Sequence, residues 1–174
     1  PVIVTQPQDQ VAPVGANVIL NVTATGQAPL SYQWLLNSST ILSSTSSSII
    51  LTNVQLGDSG NYSVIVSNSV GSSNSATAVV TVLTPPSISV QPQGQSTLAG
   101  SNILFSVTAA GSAPLSYQWR FNGIAISNAT DSSLILTNIQ GSDAGAYSVH
   151  VTNAVGSAVS SNASLTINSF PVIA

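Results

Sequence analysis

The sequence predicts an all-β protein made of two tandem β-sandwiches, and three observations carry that prediction. The chain repeats itself: Ala28-Pro-Leu-Ser-Tyr-Gln-Trp34 returns as Ala113-Pro-Leu-Ser-Tyr-Gln-Trp119, and Asp58-Ser-Gly-Asn-Tyr-Ser-Val64 returns as Asp143-Ala-Gly-Ala-Tyr-Ser-Val149, each 85 residues on. Gly15 and Gly100, Gly26 and Gly111, Asn68 and Asn153, and Gly71 and Gly156 keep the same shift, and about half of all positions are identical without an insertion or deletion. Short runs rich in Val, Ile, Leu, Thr and Tyr alternate with Gly, Asn, Ser and Pro clusters at intervals of roughly 8 to 12 residues, the spacing of sandwich strands. No window holds a helical period. A length of 174 residues then divides into two units of about 85, each large enough to bury its own core. The expected boundaries are 1–84 and 85–170, with 171–174 opening a further repeat, because Pro171-Val-Ile173 repeats Pro1-Val-Ile3. Such a chain reads as a piece of an array.

In the first unit, strands are expected near 3–5, 10–12, 17–25, 31–36, 48–52, 60–68 and 76–83, each with a counterpart 85 residues later. Alternation assigns the faces. Across 17–25, Val18, Leu20, Val22 and Ala24 point one way and Asn17, Asn21 and Thr23 the other, so the apolar set is the core face. Its counterparts are Ile103, Phe105, Val107 and Ala109. The last strand turns Ala78, Val80 and Val82 inward, and Ala163, Leu165 and Ile167 match them. Leu83-Thr-Pro-Pro-Ser87 is short and stiffened by two prolines, which leads us to expect a semi-rigid, elongated arrangement.

A Trp about a dozen positions after an inward strand residue, followed by D-x-G-x-Y-x-hydrophobic, resembles an immunoglobulin-type domain of the intermediate (I) set. The resemblance covers nearly the whole chain and is nearest to the tandem cysteine-free immunoglobulin-like repeats of large secreted or surface proteins of bacteria. It implies that Trp34 and Trp119 are the core tryptophans and that Tyr62 and Tyr147 form the tyrosine corner. It also implies that Val22 with Val64, and Val107 with Val149, replace the two cysteines that bridge the sheets. A disulfide closing a loop of that length would contribute roughly 4 kcal/mol. Apolar packing against Trp takes its place, which suits folding without oxidative machinery.

Composition excludes several functions. Asp9, Asp58, Arg120, Asp131 and Asp143 are all the charged residues, 3% of the chain against roughly 25% in typical soluble domains. A single Arg cannot build the basic patch that nucleic acid or an anionic membrane requires. The near-neutral surface also lacks the self-repulsion that keeps copies of a protein apart. No stretch approaches the 18 or so apolar residues of a membrane span. Cys and Met are absent, so disulfides, thiolate metal sites and thiol redox chemistry are excluded.

No catalytic, cofactor or metal residues are assigned. Gly57-Asp-Ser-Gly60 has the look of a serine-nucleophile motif, but the single His, His150, lies in the other unit, and Ala144 stands at the counterpart of Ser59. One His and four scattered Asp form no ligand cluster. An isopeptide crosslink needs a Lys, and none is present. Sugar binding wants exposed aromatic platforms, and only Phe121 and Phe170 escape assignment to the core or its corner. Asn21, Asn37, Asn61, Asn128 and Asn162 each begin an N-x-[ST] sequence, a pattern expected by chance in so Asn- and Ser-rich a chain.

Comparing the repeats singles out an interaction face. On the outward side of the sheet that holds the Trp strand, the Tyr-corner strand and the last strand, the first unit carries Leu35, Ile65 and Val79, where the second carries Arg120, His150 and Ser164. An apolar trio on a solvent face suggests a contact surface, and Arg120 with His150 would be its polar counterpart. The expected function is a non-catalytic structural segment of a bacterial extracellular or cell-surface protein: a stalk, adhesin shaft or filament building block. Its partners would be other protein chains, including copies of itself through strand edges that few charges protect. The alternative is an accessory spacer or carbohydrate-binding module on a secreted hydrolase, with glycans as partners.

Overall fold

The computed structural model describes residues 1–41 and 44–168. Phe170 and the expected opening of a further repeat at 171–174 lie outside the described residues. The chain forms two compact units, one of Pro1–Thr84 and a second that begins at Pro85.

The first unit is built from β1 (Val2–Thr5), β2 (Gln10–Pro13), β3 (Val18–Asn21), β4 (Thr23–Thr25), β5 (Ser31–Leu36), β6 (Ser39–Thr40), β7 (Ser48–Leu51), β8 (Gly60–Asn68), β9 (Gly71–Asn74) and β10 (Ala78–Leu83), with a 3-10 turn at Leu56–Asp58 before β8. The second unit repeats the series as β11 (Ser87–Val90), β12 (Gln95–Leu98), β13 (Ile103–Ser106), β14 (Thr108–Ala110), β15 (Ser116–Phe121), β16 (Ile124–Ala125), β17 (Ser133–Leu136), β18 (Gly145–Asn153), β19 (Gly156–Val159) and β20 (Ala163–Asn168), with the 3-10 turn at Gly141–Asp143.

Within each unit one sheet runs β2-β10-β8-β5-β6, or β12-β20-β18-β15-β16, and β9 or β19 also pairs with the long central strand. The pairing of β10 with β2 is parallel, and so is that of β20 with β12; the other ladders are antiparallel. The facing layer is made of the pairs β1-β4 and β3-β7, or β11-β14 and β13-β17. Val18 and Leu20 are buried and Ile19 and Asn21 exposed, the period of two that places the core between the layers.

The elements depart from expectation at three places, each for a local reason. The strand expected at 17–25 is divided between two partners: β3 pairs with β7, a ladder that the Val22 amide extends to the Ser47 carbonyl at 2.9 Å, and β4 pairs with β1. The last strand starts at Ala78 rather than 76, because the Ala76 amide is taken by Gln6 Oε1 at 2.8 Å. Two hairpin partners, β6 and β9, were not expected. The turn into β6 uses Asn37 and Ser38 at φ 50° and 68°, and its counterpart uses Asn122 and Gly123 at 47° and 83°. Positive φ at both central residues matches the twist of a tight hairpin.

Candidate functional site

The residues that the repeats share are committed to the sandwich. Trp34 and Trp119 are fully buried opposite Val64 and Val149, and each indole Nε1 donates to a carbonyl, Ser46 or Asp131, at 2.9 Å. Val22 and Val107 are buried in the same cores, so apolar packing occupies both places where a sheet-bridging cysteine would stand. The Tyr62 hydroxyl donates to the Asp58 carbonyl at 2.9 Å and the Tyr147 hydroxyl to the Asp143 carbonyl at 2.8 Å, closing the tyrosine corner. Burial first, and then the neighbouring carboxylate of Asp58 or Asp143, raises both phenols above their ordinary 10.0.

The serine motif is likewise structural. Ser59 Oγ accepts the Val82 amide at 3.0 Å, and Asp58 Oδ2 accepts the Gln55 amide at 2.7 Å, which fixes the turn into β8. His150 lies on β18 of the other unit. Among the described residues no group of three or more His, Cys, Asp or Glu is placed to hold a metal, and no helix is long and apolar enough to cross a membrane. Phe121 is not a free aromatic platform: it is half-buried, with its ring 4.9 Å from that of Tyr147.

Leu35, Ile65 and Val79 alternate with the buried Trp34, Val64, Val66 and Val80, so all three face outward from one sheet. Leu35 pairs with Ser63 and Gln33 with Ile65, which makes Leu35 and Ile65 diagonal neighbours about 7–8 Å apart. Both are half-buried. Val79 pairs with Asn61, four residues from Ile65 along β8, or about 13 Å away. It is 42% exposed, and its amide is held by Asp9 Oδ1 at 2.7 Å. The fold therefore brings Leu35 and Ile65 together and leaves Val79 apart.

The second unit repeats the diagonal with Arg120 and His150, since Arg120 pairs with Ser148 and Gln118 with His150. Arg120 Nη1 donates to the Gly123 carbonyl at 3.4 Å, while its Nε is buried without a hydrogen-bond partner among the described residues. Ser164 sits exposed on β20, opposite Ala146.

Sequence comparison missed a more exposed apolar surface on the facing layer. There Ile19 pairs with Ile50, at 51% and 59% exposure, and Leu104 pairs with Ile135, at 52% and 66%. The signal lay in the sequence: Ile19 occupies the outward place between the inward Val18 and Leu20, and Leu104 does the same in the repeat. Comparing copies for differences passes over a feature that both share.

The sequence profile of the immunoglobulin domain matches residues 1–68 and 85–153. Among similar proteins, "Cell adhesion molecule-related/down-regulated by oncogenes" of Xenopus laevis is 35% identical over 115 residues, covering 63% of this chain and 9% of that protein. Hemicentin-2 of Mus musculus is 37% identical over 123 residues, covering 67% of this chain and 2% of that protein. The chain thus spans a small fraction of the length of these relatives, which are animal proteins rather than the bacterial repeats that the sequence resembles. The solved structure of Sidekick-1 immunoglobulin domains 1–4 superposes with a TM-score of 0.83 at 18% identity, over 96% of this chain and 48% of that one, a likeness of fold. With a matching profile in each repeat, a buried tryptophan in each core and a closed tyrosine corner, the chain belongs to the immunoglobulin domain family as two tandem domains.

Proposed function

We propose that this chain is a non-catalytic structural segment of an extracellular or cell-surface protein, a stalk or adhesin shaft in which serial sandwiches supply length and one sheet face meets another protein. The observation that supports it is the use of the polar side chains common to both repeats. Gln33 and Gln118 Nε2 each donate to two carbonyls of their own unit, Asn37 and Asn122 Oδ1 accept the amides of Asn61 and Ala146, and Gln6 and Gln91 Oε1 accept those of Ala76 and Ser161. Side chains so engaged hold the backbone and are not available for chemistry. The name of the frog relative, a cell adhesion molecule-related protein, favours an adhesive setting. A bacterial host belongs to this proposal only through the disulfide-free core. The contact face is centred on Leu35 and Ile65.

Small-angle scattering tests the spacer: an elongated particle is expected, and a compact one with the domains side by side refutes it. Leu35→Ser combined with Ile65→Ser tests the face. In a pull-down against surface-protein extracts, loss of retention with unchanged folding is the expected result. Unchanged retention removes that face from the proposal.

A further inference from the structure

The backbone of β17 is hydrogen-bonded on one side only. It pairs with β13, and among the described residues no strand covers its other edge. Which groups point outward follows from the register. The Val107 amide donates to the Ser132 carbonyl at 3.0 Å, so 107 and 132 form a hydrogen-bonded rung. Such rungs alternate in an antiparallel ladder. Leu134 and Leu136 therefore bond inward to Phe105 and Ile103, and the amides and carbonyls of Ser133, Ile135 and Thr137 project to the free edge.

That free run has fixed ends. The Asp131 carbonyl already accepts Trp119 Nε1 at 2.9 Å. At the other end the Ile139 amide donates to Ser101 and its carbonyl accepts Gly100. Three consecutive outward rungs remain, centred on Ile135. Beside them lies a concavity of about 370 Å³, lined by Ile126, Asn128, Thr130, Leu134 and Leu136, so space is open along the edge. Its guarding is sparse: Asp131 lines the concavity at one end, but no residue from Ser132 to Gln140 is charged, and β17 contains no proline. Natural edges are normally blunted by such residues.

We propose that this edge pairs antiparallel with the β17 edge of a second copy of the chain, on a two-fold axis through Ile135. The edge itself selects that occupant. Ile135 then faces Ile135, and Ser133 faces Thr137 on both sides of the axis, so all three outward rungs are matched. Sliding the register by one rung in either direction opposes an outward group to Asp131 or Ile139, whose backbone groups are engaged, and loses pairs. The same pairing joins the exposed Leu104 and Ile135 of one copy to those of the other as one apolar row. A charged partner gains nothing from an uncharged edge, while a second copy, with a net charge of only -3, meets little electrostatic repulsion. Among the described residues the first domain repeats the pattern: Ser48, Ile50 and Thr52 face out, bounded by Ser46, whose carbonyl accepts Trp34 Nε1, and by Val54, whose amide donates to Ala16. This pairing does not depend on the spacer reading or on the Leu35 face.

The natural absence of cysteine makes the register directly readable. In a hydrogen-bonded antiparallel rung the Cα atoms stand about 5.5 Å apart, within disulfide reach. The full chain carrying Ile135→Cys should form a disulfide-linked dimer under mild oxidation. Ser133→Cys, whose two copies would stand about 13 Å apart, should give at least tenfold less. Ile135→Lys combined with Ile50→Lys in the cysteine-free chain, which blocks the edge in both domains, with folding checked by circular dichroism, should shift sedimentation equilibrium at least tenfold toward monomer. A wild-type chain that sediments as a monomer at every soluble concentration, equal crosslinking at 133 and 135, or no effect of the double substitution each overturns the pairing.

Discussion

Leu20 in the first domain and Phe105 in the second occupy the same rung, opposite Ile49 and Leu134. Leu36 and Phe121 likewise share a place opposite the corner tyrosine. The second domain therefore surrounds Tyr147 with rings: Phe105 stacks on it at 4.9 Å and 26°, and Phe121 lies against it at 4.9 Å and 35°. The first domain surrounds Tyr62 with aliphatic side chains, yet the hydroxyl keeps the same bond to the carbonyl four residues back. The corner depends on that bond and on burial, and the packing around it is free to vary as long as volume is filled.

The largest perturbation tests what the domains share. Trp34→Ala and Trp119→Ala each remove the biggest fully buried side chain of one core together with its indole hydrogen bond, and each should cost its own domain about 3–5 kcal/mol. Urea unfolding of each variant should show one early transition and one unchanged. A uniform shift of both would mean that the two cores do not act separately.

Exchanging the differing residues sharpens the contrast. Leu20→Phe pushes a ring into a core built for an aliphatic and should cost about 1–3 kcal/mol. Phe105→Leu forfeits the stack on Tyr147 and should cost about 0.5–1.5 kcal/mol beyond the lost area. Near-neutral results in both directions would show that the two cores are interchangeable.

A smaller difference lies at the edge of β10. Asp9 Oδ1 holds the Val79 amide at 2.7 Å, whereas Gly94 stands at the counterpart position, and a Cβ there would lie 3.1 Å from the Ser164 carbonyl. Asp9→Ala should cost about 1 kcal/mol by thermal unfolding, the worth of a single hydrogen bond. Restoring the acid as Gly94→Asp should destabilise rather than stabilise, because the backbone of β20 must move to admit it. A gain from Gly94→Asp would mean that the second domain simply lacks a cap that the first one has.

The fold was legible because period-two alternation and the paired Trp and Tyr signals act locally and twice over. The short partners β6 and β9 were not, since residues such as Ser39-Thr40 and Gly71-Ser-Ser-Asn74 carry no strand pattern and are drawn into the sheet by the turns before them. Asn122-Gly123 was the readable turn signal. For the contact face, alternation gave the correct side of the sheet for Leu35, Ile65 and Val79. It could not give their spacing, because a sequence fixes which residues share a face while the ladder register fixes which are neighbours. The free edge of β17 was beyond reach for the same reason: it is defined by bonds that Trp119 and Ile139 make elsewhere.

The tyrosine corners offer the finest test, through pH. Burial and the adjacent carboxylates raise the Tyr62 and Tyr147 phenols above 10.0 in the folded chain. Between the unfolded and folded values the native state holds protons that the unfolded state has released, so stability must fall as pH rises. The contribution is fully present below about pH 9, begins to fade near the ordinary tyrosine value of about 10, and is gone once pH passes the raised folded value. The chain contains no Lys and no Cys, the other side chains that ordinarily titrate in this range. Tyr62→Phe should lower stability at pH 7 by about 1 kcal/mol for the lost hydroxyl bond and flatten the alkaline fall of the first domain, leaving that of the second intact. An alkaline slope unchanged in Tyr62→Phe, measured by urea unfolding across pH 8 to about 11, would assign the effect to some other group.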